Sequence, residues 1–297
     1  MNHAKPFLKW AGGKRQLLNE IEKNLPPNIL ETKKIDLYIE PFVGGGALLF
    51  HLLSNYSVKK SIINDINPDL ILAYKIIKLY PEDLIKKLKI VEKEYLSLPY
   101  GERKEYYYNN LRNKFNELKI NYSKPNTKLS IEKVALLIAL NKTCFNGLYR
   151  QNNKGKFNVP IGRYKNPKIL DEENLRAAST LLKNTQIFYG SYDSIKIPKE
   201  PKAFVYLDPP YRPLNAVGFT KYSKEDFNDE DQKQLAKYFR RLNKDRHYLL
   251  LSNSDTKDKF FDTLYKGFNI ERVSAKRYIN SIANGRGNIN ELLIKNY

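Results

Sequence analysis

Short apolar runs at 35–39 (IDLYI), 61–63 (SII), 185–189 (TQIFY), 203–207 (AFVYL) and 248–252 (YLLLS) constrain this chain more than any other feature. They lack the alternation of a half-exposed strand, so they suit a parallel sheet covered on both faces. Helical periodicity follows several of them, in ALLFHLLSN (47–55), LRAASTLLKN (175–184) and DEDQKQLAKYFRRLNK (229–244). Strand and helix in alternation predict an α/β fold on a doubly wound sheet. Between about residues 75 and 166 the alternation stops, and the pattern turns helical and charged. That stretch closes on YRQNNKGKFNVPIGRY (149–164), which reads as a β-hairpin turning at Asn-Asn-Lys-Gly. The expected organisation is a discontinuous core, 1–75 plus 167–297, with a mainly helical insert at 76–166.

Charge narrows the partners. The net charge is +20, and residues 75–168 hold 21 Lys+Arg against 8 Asp+Glu. A lysine-rich surface can serve solubility alone, but charge gathered in one segment beside the YYY run at 106–108 favours a nucleic-acid-facing insert. VALLIAL (134–140) is too short to cross a bilayer, and MNHAKPFLKW lacks the apolar stretch of a secretory leader. One cysteine, Cys144, excludes an internal disulfide framework and suits a reducing cytoplasm, and three scattered histidines give no zinc site.

Three motifs carry the chemistry. VYLDPPYRPL (205–214) ends a strand on a carboxylate, two prolines and a tyrosine. Taken alone it is a sharp strand-to-loop turn. It also offers two acceptors for an NH2 group, Asp208 and the Pro209 carbonyl, and a π-face on Tyr211 for a planar base. YIEPFVGGGALLF (38–50) places glycines between strand and helix, where a ligand can approach the backbone, although Leu49 stands where a dinucleotide motif has its third glycine. Asp65 follows at the end of the next strand, where such folds place a ribose-binding acid; an N-cap for the next helix is the alternative. FLKWAGGKRQLL (7–18) reads as a turn at Gly12-Gly13 before a helix, with Trp10 in the core, yet that leaves Lys9 and Lys14 without a structural task.

These motifs, in this order, resemble those of the Dam-type DNA adenine-N6 methyltransferases (D12 class, alpha group): FLKWAGGK, EPFxGxG, a recognition insert, DPPY. The resemblance spans essentially the whole chain, and LNKTCFNGLYRQNNKGKFNVPIGRY (140–164) is similar to the family's recognition segment. It implies a Rossmann-like methyltransferase sheet and S-adenosylmethionine as methyl donor, with no metal. Trp10, Lys14 and Asp65 would hold that donor, with Gly12, Gly13, Ile66, Tyr192 and the loop of Glu40, Pro41, Phe42, Gly44 and Gly46. Asp208, Pro209, Pro210 and Tyr211 would form the catalytic motif, Asp208 touching donor and target adenine alike. Lys9, Asn146, Leu148, Arg150, Asn152, Pro160 and Tyr164 would contact double-stranded DNA, with GATC as the site. Phe145 would fill the gap left by a flipped base. TKYSKEDF (220–227) would close over that base, and NSIANGRGNIN (280–290), with Arg286, would lie near DNA. The resemblance also implies a monomer at the nucleoid in the cytoplasm, with no membrane and no stable complex with a restriction endonuclease sharing its site.

Other readings remain at this point. A nicotinamide oxidoreductase shares the fold but leaves DPPY without a role. A non-catalytic DNA-binding module explains the charge and not the donor-site motifs. Methylation of cytosine N4, RNA or a protein amide uses the same chemistry. For Arg150 itself, a phosphate contact competes with base readout.

Overall fold

The computed structural model describes residues 3–14, 16–213, 227–256, 258–276 and 288–297, without the side chains of 274–276 and 288–290. The elements run α1 (Leu18–Lys23), α2 (Pro27–Thr32), β1 (Lys34–Glu40), α3 (Ala47–Asn55), β2 (Ser57–Asp65), α4 (Pro68–Leu79), α5 (Pro81–Ser97), α6 (Arg103–Tyr106), α7 (Lys114–Glu117) and α8 (Thr127–Thr143). Then follow α9 (Glu172–Leu181), β3 (Thr185–Tyr189), β4 (Ala203–Leu207), α10 (Asp229–Lys244), β5 (Tyr248–Ser254), α11 (Phe260–Leu264), β6 (Asn269–Lys276) and β7 (Asn288–Lys295). The strands form one sheet in the order β3-β2-β1-β4-β5-β7-β6. β1 pairs parallel with β2 and β4, and β4 with β5. β7 runs antiparallel to both β5 and β6, a closing pair that the apolar runs did not announce.

The chain divides into two compact units. One comprises residues 14–43, 55–64 and 191–297. Its core sets Leu37 and Ile39 of β1, Val205 and Leu207 of β4, and Leu249 and Leu251 of β5 against Leu235, Phe239 and Leu242 of α10. The buried positions 235, 239 and 242 repeat at helical spacing, which is why α10 shows one apolar stripe. Its start is fixed by a capping box: the Asn228 side chain accepts from the Glu230 and Asp231 amides, and Asp231 accepts from the Asn228 amide.

The other unit comprises residues 1–13, 44–54 and 65–190. α4, α5, α8 and α9 are its main helices, and α8 buries Val134 through Leu140 at no more than 3% exposure, so this run is core. Lys133, on the same helix, is also buried. Its ammonium donates to the Phe115 (2.6 Å) and Leu118 (3.3 Å) carbonyls at the end of α7, completing a helix terminus. The YYY run enters a π-helical turn, Tyr107–Asn113, and the Tyr107 hydroxyl donates to the Val159 carbonyl at 2.8 Å. The expected hairpin reverses at the anticipated residues, yet it pairs through isolated bridges, Gln151 with Phe157 and Cys144 with Ile161. Its cross-strand bonds run from the Asn152 amide to the Lys156 carbonyl and from the Asn158 amide to the Arg150 carbonyl, while the Asn116 side chain takes the N–H and carbonyl of Phe157 as a neighbouring strand would. No helix among the described residues is long and apolar enough to cross a membrane.

Candidate active site

Asp208 stands one residue beyond β4, at the carboxyl end of a parallel strand, where ligands meet open α/β sheets. The turn that carries it is rigid. Gln232 donates to the Pro210 carbonyl (3.1 Å), Asn253 accepts from the Arg212 amide (3.2 Å), and Ser254 donates to the Arg212 carbonyl (2.5 Å). Arg212 then anchors the chain outward through ion pairs to Asp229 and Asp258. Lys14 pairs with Asp208 at 3.0 Å, the two side chains being 9% and 16% exposed. Its ammonium also lies 4.2 Å from the centre of the Tyr211 ring, and the Tyr211 hydroxyl donates to Glu291 at 2.5 Å. Burial pushes the Asp208 carboxyl up to about 6 even though Lys14 opposes the shift. Burial likewise holds the Tyr211 phenol far above its ordinary value, so it is protonated.

In the same unit, Glu40 ends β1 and is buried, accepting from the Tyr38 hydroxyl at 2.8 Å. Asn64 donates to the Pro41 carbonyl, and the Val43 amide donates to the Asn64 carbonyl. Phe42 stacks on Tyr192 with centroids 5.1 Å apart, and Phe227 packs edge-on to both. Residues 220–226 and 280–287, Arg286 among them, lie outside the described residues.

The other unit holds the remaining donor-site candidates. Asp65 does not cap the helix that follows; Asn67 does, accepting from the Leu70 amide. The Asp65 carboxylate instead takes the Gly44 and Asn67 amides, each at 2.9 Å. Burial raises its pKa, and the backbone N–H groups of Asn67, Gly44 and Ile66 counter only part of that. A carboxylate has about four lone-pair sites, so acceptor capacity remains for a ligand hydroxyl. Ile66 beside it is 73% exposed. Trp10 is half-buried rather than core: it stacks on Tyr149 at 5.0 Å, and Gly44 and Gly45 pass so close that a Cβ on either would lie 3.2 Å from it. Gly12 and Gly13 are exposed in the turn after it. These groups suit a ligand bearing hydroxyls and a flat ring, as S-adenosylmethionine does.

Gly46 leaves no room for a side chain. Its φ is +71°, and a Cβ there would lie 2.4 Å from the Tyr74 hydroxyl, which donates to the Gly44 carbonyl. Gly46→Ala is expected to cost roughly 2–4 kcal/mol, overpacking and left-handed strain together. Urea unfolding checks this; an unchanged midpoint would show that the loop absorbs the methyl group.

The DNA-contact candidates gather around Asn141. This buried amide accepts from the Lys9 amide (2.8 Å) and donates to the Lys9 (2.9 Å) and Gly147 (2.8 Å) carbonyls, binding the N-terminal strand of chain to the 145–147 turn. Phe145, at 48%, and Leu148, at 38%, are exposed there, Asn146 sits at φ 55°, and the Phe145 amide donates to the Pro160 carbonyl. The Lys9 ammonium approaches Tyr164, 3.4 Å from its hydroxyl. Arg150 is exposed, and its Nε donates to the Asn158 side-chain oxygen at 2.8 Å. The Asn152 side-chain oxygen serves its own turn, accepting from the Lys154 and Lys156 amides. Tyr149, between Leu148 and Arg150, donates to Asp69 at 2.8 Å, as Tyr122 does at 2.5 Å. Cys144 is fully buried, its thiol pushed up to about 11 by burial, which leaves it unreactive.

Sequence reasoning missed Asn141, Asp69, Tyr149, Asn158 and Glu291. Only Asn141 and Glu291 carried a signal, a polar residue at the end of VALLIAL and a lone acid before LLI.

Comparison with known proteins adds to this geometry. A family model described as D12 class N6 adenine-specific DNA methyltransferase matches residues 10–279. The type II methyltransferase M.MjaIII of Methanocaldococcus jannaschii is 53% identical over 295 residues, 99% of each chain. M1.LlaDCHI of Lactococcus lactis subsp. cremoris, also named a type II methyltransferase, is 40% identical over 99% of this chain and 95% of its own. The DNA adenine methylase of Serratia marcescens is 34% identical over 99% of this chain and 98% of its own.

Proposed function

The chain belongs to the D12 class of N6 adenine-specific DNA methyltransferases, and from that premise we propose that it methylates adenine within GATC in double-stranded DNA, on a base swung out of the helix. Enzymes of this family take the methyl group from S-adenosylmethionine. The observation that carries the reading is the rigid Asp208–Tyr211 turn, its carboxylate paired with Lys14 and its aromatic ring held on the same ammonium.

Adenine N6 is a poor nucleophile because its lone pair is drawn into the ring. Asp208 and the Pro209 carbonyl accept its two hydrogens, which frees that lone pair and lets the nitrogen become tetrahedral. Tyr211 stacks the base so that N6 faces the activated methyl group that the donor supplies. The methyl group would leave the donor's sulfur, as a neutral thioether, while the new N–C bond forms, and N6, which takes on the positive charge, sheds one proton toward Asp208 and solvent. Positioning and fixed electrostatics carry the catalysis, with no covalent enzyme intermediate. Asp65 would take the donor's ribose hydroxyls and Trp10 and Ile66 its flat parts; Glu40, Pro41, Phe42, Gly44, Gly46, Lys14 and Tyr192 are the further residues assigned to the donor.

Residues 76–166 serve as the target-recognition insert. Arg150 reads guanine, Lys9, Leu148, Pro160, Asn146, Asn152 and Tyr164 contact the duplex, and Phe145 fills the space the adenine leaves. The relatives of highest identity named above carry type II names, which favours a role beside an endonuclease of the same specificity, without a stable complex. The enzyme acts as a monomer on DNA in the cytoplasm.

A pH dependence follows. Only ionised Asp208 can accept both charge and hydrogen bond, and its raised pKa means that the ion is lost as pH falls through about 6. The single-turnover rate is expected to drop about tenfold per unit below that point. The same shift means the native state binds more protons between pH 4 and 6, so this group weakens the fold as pH rises across that window. A rate independent of pH down to 4 would remove Asp208 from the reaction.

The defining experiment is transfer of labelled methyl to two duplexes, one with a single GATC and one with that site scrambled. Label on adenine N6 in the GATC duplex alone supports the full reading. Label on both discards the recognition assignment and keeps the chemistry. Label on neither removes duplex DNA of this sequence as substrate.

A further inference from the structure

We propose that Glu291 is a positioning residue for methyl transfer, holding the Tyr211 ring in the orientation that receives the target base. This rests on the reading of Tyr211 as the stacking face for adenine. Glu291 comes from β7, opposite Ser254 of β5, and is the residue before the buried Leu292, Leu293 and Ile294. Burial of those three sets where β7 lies, and Glu291 stays half-buried at the tip of the Tyr211 ring.

Three separate restraints meet on this one side chain. At its root, the backbone is pinned on both sides by Gln232 at the Pro210 carbonyl and by Asn253 and Ser254 at Arg212. On its face, the Lys14 ammonium lies 4.2 Å from the ring centre. At its tip, the phenol donates to the Glu291 carboxylate at 2.5 Å, a short charge-assisted bond. Root and face hold the backbone and one side of the ring; the tip fixes the hydroxyl end, so all three are set before the base arrives. Gln232 and Asn253 beside the turn are engaged with main chain and with each other, so neither offers the phenol a substitute for Glu291. Preorganisation of this kind raises the rate without a new contact to the substrate.

The test is a double-mutant cycle on the full-length enzyme, with kcat, KM for duplex and donor affinity measured for E291A, E291Q, Y211F and E291A/Y211F, and Y211A as a separate control. E291A is expected to lower kcat about tenfold with donor affinity within about twofold, and E291Q, which keeps an oxygen acceptor, to recover most of that loss. Y211F removes the same bond and is expected to match E291A, with the double variant no worse than either. A purely structural Glu291 would show additive losses and no rescue by Gln, and either result overturns the proposal. Should E291A not fold, Y211F decides: wild-type kcat in that variant also overturns it. If Y211A itself leaves kcat intact, the stacking role of Tyr211 fails instead, which separates the two claims.

Discussion

Asp208→Ala is expected to lower methyl transfer by roughly 10²–10⁴-fold, the range seen when a positioned proton acceptor or electrostatic stabiliser is removed. Duplex binding should change little, because the DNA-contact candidates belong to the other compact unit. The variant should also fold. Keeping Asp208 ionised in its buried position at neutral pH costs about 3 kcal/mol, from a pKa of about 6 against an ordinary 3.8. The attraction of Lys14 is already counted in that net figure, so deleting the carboxylate relieves the cost even though Lys14 loses this ion pair. Lys14 keeps its contact with the Tyr211 ring. A thermal melt near wild type with transfer lost would place the defect in the chemical step. Transfer within about tenfold of wild type would refute the catalytic role.

Arg150→Ala is expected to cost about 1–3 kcal/mol of discrimination between GATC and near-cognate sites, roughly a 5- to 150-fold loss. The argument is geometric. Asn158 takes Nε of this exposed arginine at 2.8 Å, a bond that restrains the guanidinium and does not use its two terminal nitrogens. A fork held that way suits the two acceptors on a guanine edge, whereas a phosphate contact needs no such restraint. Lys119→Ala, at an exposed basic position on the same unit, should weaken all duplexes alike and reduce the salt dependence of binding. Binding isotherms on GATC and on single-substitution duplexes separate the two. An equal loss on every duplex for Arg150→Ala would make it a phosphate contact.

Much of this architecture was legible because the parallel strands are buried on both faces. The runs at 203–207 and 248–252 recur in β4 and β5, and the stripe at 229–244 is α10 in full. β6 and β7 were not legible. β6, NIERVSAK, mixes charged and apolar residues as an outer strand does, and β7 offers only LLI as an apolar run. The strand-ending acids Asp65 and Asp208 could be read from position alone. What they touch could not: Asp65 takes an amide from Gly44, 21 residues earlier, and Asp208 meets Lys14 from the other end of the chain. The hairpin at 149–164 was legible in its turn, but not the partner of its outer edge: Asn116, outside the motif, satisfies the Phe157 backbone there.

Trp10 is the chain's single tryptophan, and its ring stacks on Tyr149 while pressing on the glycine loop. The protein therefore carries one built-in optical reporter. Its indole emission comes from a single environment, bordered on one side by the loop assigned to the methyl donor and on the other by the residue between Leu148 and Arg150. Quenching or a spectral shift on adding donor, and a second change on adding duplex, can be followed without any label. The order and rates of the two loading events become measurable in a stopped-flow instrument on the unmodified enzyme.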